Sequence, residues 1–127
     1  MAHGTARIGK DHYRTEIAVG GHSLVADEGP GLGGQNAGPA PYDLLLASLG
    51  ACTAITLRMY ADRKDWPLES VEVGLRLTGR REAMRIERTL TIAGLDADQQ
   101  ARLADIAERT PVTLTLKNGL PIDTQLV

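Results

Sequence analysis

Cys52 is the only thiol in the chain, and it sits in the run GPAPYDLLLASLGACTAIT between Gly38 and Thr56. A thiolate is a strong nucleophile and can be oxidised reversibly to a sulfenic acid, but it needs a nearby cation or dipole and a route of access. Lys10, Arg14 and Arg109 are the basic residues considered as that cation, and spacing alone does not choose among them. The competing reading is chemically inert: a small, buried side chain that happens to contain sulfur. One cysteine cannot form an intrachain disulfide, so any disulfide chemistry requires a partner molecule. His3, His12 and His22 fall in terminal or turn segments without ligand spacing, which argues against a metal site. GGQNAG at Gly33–Gly38 lacks the Gly-Lys-Ser/Thr ending of a phosphate-binding loop, and two prolines separate it from the helix that follows.

The element carrying Cys52 reads as a long helix from Pro41 to about Arg63. Proline suits the first turn, Asp43 places a carboxylate near the positive end of the dipole, and Trp66-Pro67 ends the pattern. Leu45, Ser48, Leu49, Cys52, Ile55, Thr56 and Met59 recur at spacings of three and four, which predicts a largely buried cysteine. Gly50, in the small-residue stretch Ala47–Ala51, disfavours the helix by about 1 kcal/mol relative to alanine, and close approach by another element is the expected compensation. Ahead of the helix, residues 27–41 contain five glycines and three prolines, a composition that supports neither helix nor sheet. So long a loop covers a site, crosses to another subunit, or is a solvated linker.

Three short strands are expected before the loop, over 5–9, 13–19 and 23–26, as an antiparallel meander. After the helix, 70–79 and 84–93 alternate apolar and polar residues as a hairpin, with Arg80, Arg81 and Glu82 at its solvated end. Asp96 or Asp98 can cap a second helix that stops at Thr110-Pro111, and 112–116 reads as a final strand before the Asn118-Gly119 turn. The resulting order, β-β-β-α-β-β-α-β, implies an α+β fold with mainly antiparallel sheets.

A length of 127 residues, 43% apolar and 24% charged, suits one domain spanning 1–127. A net charge of −2 with scattered basic residues, one tryptophan and no phenylalanine argues against a nucleic-acid partner. No apolar run is expected to reach the roughly 20 residues that cross a bilayer, and no signal-peptide core is visible, so a cytoplasmic location without a membrane partner is expected.

The run from GGQNAGPAPYDLLLASLGACTAIT through LRMYADRKDWPLESVEV resembles the OsmC/Ohr family, in particular its short OsmC-like branch. The likeness extends to VADEGPGLGG before it and IERTLTIAGLDADQQARLADIAERTPV after it, close to the full chain. This resemblance implies an OsmC-like fold in an intertwined homodimer, with a central helix in each subunit and active sites at the subunit interface. It also implies thiol-dependent reduction of organic hydroperoxides in the response to oxidative stress, without a cofactor. Cys52 matches the peroxidatic position. Asp43 is the candidate orienting carboxylate, one position later than in the family pattern because Tyr42 occupies the usual place; Arg14, or alternatively Lys10, is the candidate cation. Where the family carries its second, resolving cysteine this chain has Thr110, so the implied enzyme relies on an external thiol reductant. The alternative is a non-catalytic relative that binds a small apolar ligand in the dimer pocket.

Overall fold

The computed structural model describes residues 2–127, which divide into two compact units, one ending at Leu45 and the other spanning Leu46–Val127. In the N-terminal unit β1 (Gly4–Arg7), β2 (Thr15–Val19) and β3 (His22–Ala26) form an antiparallel sheet in sequence order. Its register pairs Ala6 with Ile17 and Ile17 with Leu24. Gly20 and Gly21, both at positive φ, make the tight β2–β3 turn that side-chain-bearing residues enter reluctantly.

The glycine-rich segment after β3 is largely exposed but is anchored on one buried carboxylate. Asp27 is only 3% exposed, and its carboxylate collects four backbone N–H groups. Oδ1 accepts from Tyr13 at 3.0 Å and Glu28 at 2.7 Å, and Oδ2 from Gln35 at 3.3 Å and Ala37 at 3.1 Å. The loop therefore folds back on one buried charge, with Asp27 N–H reaching Pro39 O and Asn36 N–H reaching Glu28 O, both at 3.1 Å. Gly38 is required for this closure, since a β-carbon there would collide with the Val25 carbonyl.

Helix α1 (Pro41–Arg63) begins in the first unit and continues into the second. Asp43 Oδ2 accepts the Ala40 N–H at 2.9 Å, satisfying one of the donors left over at a helix start. Within the second unit Leu49, Thr53, Leu57 and Ala61 are buried; Leu49 belongs to the stripe expected through Cys52, and beyond it the row runs one residue past Cys52 and Thr56. Cys52 lies at its edge and is partly exposed rather than buried, while Ser48, Ala51, Ile55 and Met59 face outward. The apolar surface of α1 is wider than one chain covers, which is why periodicity alone misplaces the buried row. By length and composition α1 also reaches what a bilayer span needs, with a mean hydropathy of 1.5 over an 18-residue window, contrary to the expectation from the bare sequence. Its Leu57 and Ala61 are buried against protein, and Arg58 pairs with Asp62 at 3.3 Å.

Strands β4 (Ser70–Thr78) and β5 (Arg85–Ala93) pair antiparallel, with Val73 opposite Leu90 and Leu75 opposite Arg88. Leu75 explains Gly50: a β-carbon at that position would lie 2.8 Å from Leu75 Cδ1. Helix α2 (Ala97–Ala107) opens on a reciprocal cap, Gln99 N–H to Asp96 Oδ1 at 2.8 Å and Asp96 N–H to Gln99 Oε1 at 3.0 Å. Leu57, Ala61, Leu68, Leu103 and Ala107 form the core, flanked by Tyr60, Trp66, Val71, Leu90, Ile92 and Ile106.

One expected element changes type. The segment read as a last strand is helix α3 (Pro111–Asn118), so the order is β-β-β-α-β-β-α-α, still α+β with antiparallel sheets. Pro111 fixes φ for the first helical position, and the buried residues Thr110 and Thr113 recur at a helical spacing of three, against the strand propensity of Val112, Thr113 and Thr115.

The Ala37 N–H above all, with those of Glu28, Tyr13 and Gln35, holds the Asp27 carboxyl below its usual range despite burial. The folded state therefore binds that proton less readily than the unfolded chain. Its stabilising contribution is complete above about pH 4 and is lost as pH falls through the lower folded value. We expect Asp27→Asn to lower the urea midpoint at pH 7, to speed amide exchange at Tyr13, Gln35 and Ala37, and to remove this component of the acid dependence. Unchanged exchange at those amides would contradict the role given to Asp27.

Candidate functional site

Cys52 lies midway along α1, and the first turn of α3 comes to its sulfur. Thr110 holds the N-cap position of α3 without a side-chain capping bond, Pro111 has no N–H, and the Val112 N–H is therefore the first free donor of the helix. It points at Cys52 Sγ, with N to S at 3.4 Å. A donor at the positive end of a helix complements negative charge on a group placed there.

The residues on either side of this contact are joined by a cation that the sequence reading did not single out. Arg88, on β5, has a side chain only 12% exposed. Its Nη1 donates to Thr53 Oγ1 at 3.0 Å and Thr113 Oγ1 at 2.9 Å, and its Nη2 to the Ala107 carbonyl at 2.9 Å and Glu108 Oε2 at 3.1 Å. Thr53 follows Cys52 and Thr113 follows Val112, so one nitrogen of the guanidinium holds the neighbours of both atoms in the N–H···S contact. Thr53 Oγ1 donates onward to the Leu49 carbonyl at 2.7 Å. The hydroxyls of Thr110 and Thr113 lie 2.6 Å apart. Among the described residues no buried side-chain nitrogen or oxygen lacks a partner.

Glu108 shares its charge between two cations. Lys117 Nζ lies 3.2 Å from Oε1 and Arg88 Nη2 lies 3.1 Å from Oε2. Lys117, followed by Arg88, holds the Glu108 carboxyl below its usual range. Arg109 grips Asp105 through both terminal nitrogens, at 3.0 and 2.9 Å.

Among the residues expected at the site, Cys52 and Thr110 both lie in the C-terminal unit, with Thr110 two residues before the donor to sulfur. Asp43 caps α1, Lys10 is exposed in the β1–β2 connection, and the exposed Arg14 lies 4.0 Å from Glu16. A signal for Arg88 was present in the sequence. In β5 it takes the face of Ile86, Leu90 and Ile92, an arginine at a position where the alternation calls for an apolar side chain.

Among protein families, the model described as OsmC-like protein matches residues 33–125, well over half of the chain. No curated protein sequence matches. Among solved structures, an OsmC-like protein from Mycoplasma pneumoniae is 18% identical with a TM-score of 0.78, over 92% of this chain and 87% of that one. A Psychrobacter arcticus protein described as an osmotic stress induced and detoxification response protein is 18% identical with a TM-score of 0.76, over 88% and 85%. An organic hydroperoxide resistance protein, OsmC, from Legionella pneumophila is 23% identical with a TM-score of 0.66, over 92% and 89%. At these identities the likeness establishes the fold.

Thr113 is the test of the network itself. Thr113→Val keeps the shape but leaves Arg88 Nη1 and Thr110 Oγ1 each short of a partner, and is expected to cost about 1–3 kcal/mol. Urea unfolding measures this. A change below about 0.5 kcal/mol, the range of an ordinary surface substitution, would show that the hydroxyl is dispensable.

Proposed function

Because the chain belongs to the OsmC-like protein family, we propose that it reduces organic hydroperoxides with Cys52 as the peroxidatic thiol and an external thiol as reductant. The observation carrying this reading is that Cys52 is partly exposed and the Val112 N–H is directed at its sulfur from a helix start. In the first step the Cys52 thiolate attacks the terminal peroxide oxygen. The S–O bond forms as the O–O bond breaks, and the departing alkoxide takes a proton to leave as an alcohol. A small thiol then condenses with the sulfenic acid, releasing water and leaving a mixed disulfide. A second thiol attacks that disulfide, returning Cys52 to its thiol and carrying away an oxidised thiol pair.

The external reductant follows from Thr110, since a hydroxyl cannot close a disulfide. A homodimer belongs to the same proposal: a second copy is the natural cover for the outward stripe of Ser48, Ala51, Ile55 and Met59 on α1. Light scattering on the purified protein tests this, and a stable monomer contradicts it.

The enzymatic reading predicts that near-stoichiometric cumene hydroperoxide converts Cys52 to a sulfenate trapped by dimedone and visible by mass spectrometry. Cys52→Ser abolishes the adduct. Thr110→Cys is expected to replace the trapped sulfenate with an intrachain disulfide. Asp43→Asn and Arg14→Met are expected to slow the first step, with Lys10→Met as the alternative if Arg14→Met has no effect. Slow, unselective oxidation combined with saturable apolar-ligand binding that survives Cys52→Ser would favour the binding-protein reading instead.

A further inference from the structure

Arg88 is the only charged side chain among the described residues that hydrogen-bonds to both neighbours of the Cys52–Val112 contact. We propose that it is a positioning residue for Cys52, its guanidinium clamping the α1 turn to the first turn of α3 so that the Val112 N–H stays on the sulfur. The proposal rests on the reading of Cys52 as a reacting thiol and adds a residue that touches neither sulfur nor peroxide.

Sequence distance shows why a clamp is needed. Val112 and Cys52 are 60 residues apart, and their contact is a single N–H···S bond of 3.4 Å. One such weak bond cannot by itself fix a short helix against a long one. The guanidinium can, because its donors form a rigid planar fork that loses little freedom on binding. Nη1 bridges Thr53 to Thr113, and Nη2 holds the end of α2 through Ala107 O and Glu108. Burying a charge there is costly, and an apolar side chain of similar volume would fill the space at less desolvation penalty. What an apolar side chain could not do is tie four acceptors from α1, α2, the α2–α3 turn and α3 to one plane. Glu108, itself pulled by Lys117 at 3.2 Å, fixes the direction in which Nη2 points.

The test uses the full-length protein. Arg88→Lys retains the charge and the apolar stem but loses the fork. It is expected to slow the second-order reaction of Cys52 with tert-butyl hydroperoxide by about tenfold or more, the effect of losing roughly one net hydrogen bond. Alkylation of Cys52 by iodoacetamide, which needs no peroxide chemistry, is expected to change in the same variant. The Val112 amide should shift in the nitrogen–proton NMR spectrum and lose exchange protection. Thr53→Val cuts only the α1 arm and is expected to move the Val112 amide in the same direction, so the proposal is tested even if Arg88→Lys fails to fold. A folded Arg88→Lys, or a folded Thr53→Val, with an unchanged Val112 amide and unchanged alkylation would overturn the clamp. If the wild-type protein ignores peroxide while these variants still alter alkylation and the Val112 amide, the hydroperoxide function fails and the clamp stands.

Discussion

The largely buried guanidinium of Arg88 is the constraint around which the C-terminal unit is organised. A permanently charged group with little water around it must find acceptors for its donors. The four it finds come from α1, the last turn of α2, the residue after it and α3. The apolar core of Leu57, Ala61, Leu103 and Ala107 supplies the bulk of the burial but has no directional preference of its own. Hydrogen bonds to a planar cation are directional. They select, among the ways α3 could lie against the core, one that puts the Val112 N–H on Cys52 Sγ.

Helix α3 shows local preference yielding to this constraint. Val112, Thr113 and Thr115 favour extended backbone, and their alternation with leucine is that of a strand. Three features oppose them. Pro111 presets the helical φ, Thr113 buries its hydroxyl against Arg88 and Thr110, and Lys117 in the last turn reaches back to Glu108. An extended segment would send Thr113 and Lys117 off in directions set by the period of two, so both could not meet the same cluster. Because the decisive partners lie as far back as β5, no window of local sequence contains the reason for the helix.

The same distinction separates what the sequence made legible from what it did not. The meander, the β4–β5 hairpin, α1 and the Asp96 cap of α2 depend on neighbours within a few residues, and all were readable. The position of Cys52 midway along a helix was readable as well. Its partial exposure was not, because the buried row of α1 is chosen by contacts with β4 and the core rather than by the helix's own apolar stripe. Asp27 and Arg88 were overlooked for a shared reason. Each is a charged residue where composition suggests ordinary surface, and each is held by partners from separate segments, the Tyr13 N–H 14 residues from Asp27 and the Thr53 hydroxyl 35 residues from Arg88. For Arg88 the break in the alternation of β5 was the available clue. For Asp27, at the edge of a glycine-rich loop, there was none.

Thr110 ties the structural argument to the chemistry. The OsmC/Ohr resemblance implies a second thiol at this position, which under the proposed reaction would have to move onto an oxidised Cys52. A resolving thiol must be able to move, since disulfide geometry brings the two β-carbons to about 4 Å. Thr110 is instead fully buried and bonded to Thr113, which is bonded to Arg88. The Thr110 hydroxyl is therefore part of the frame holding the α3 N-terminus. Under the proposed reaction nothing at the junction would have to rearrange, and the Val112 N–H could stay on the sulfur. In the reaction proposed for Cys52, the same arrangement would leave a sulfenate without an internal partner, and a thiol arriving from solvent would have to reduce it.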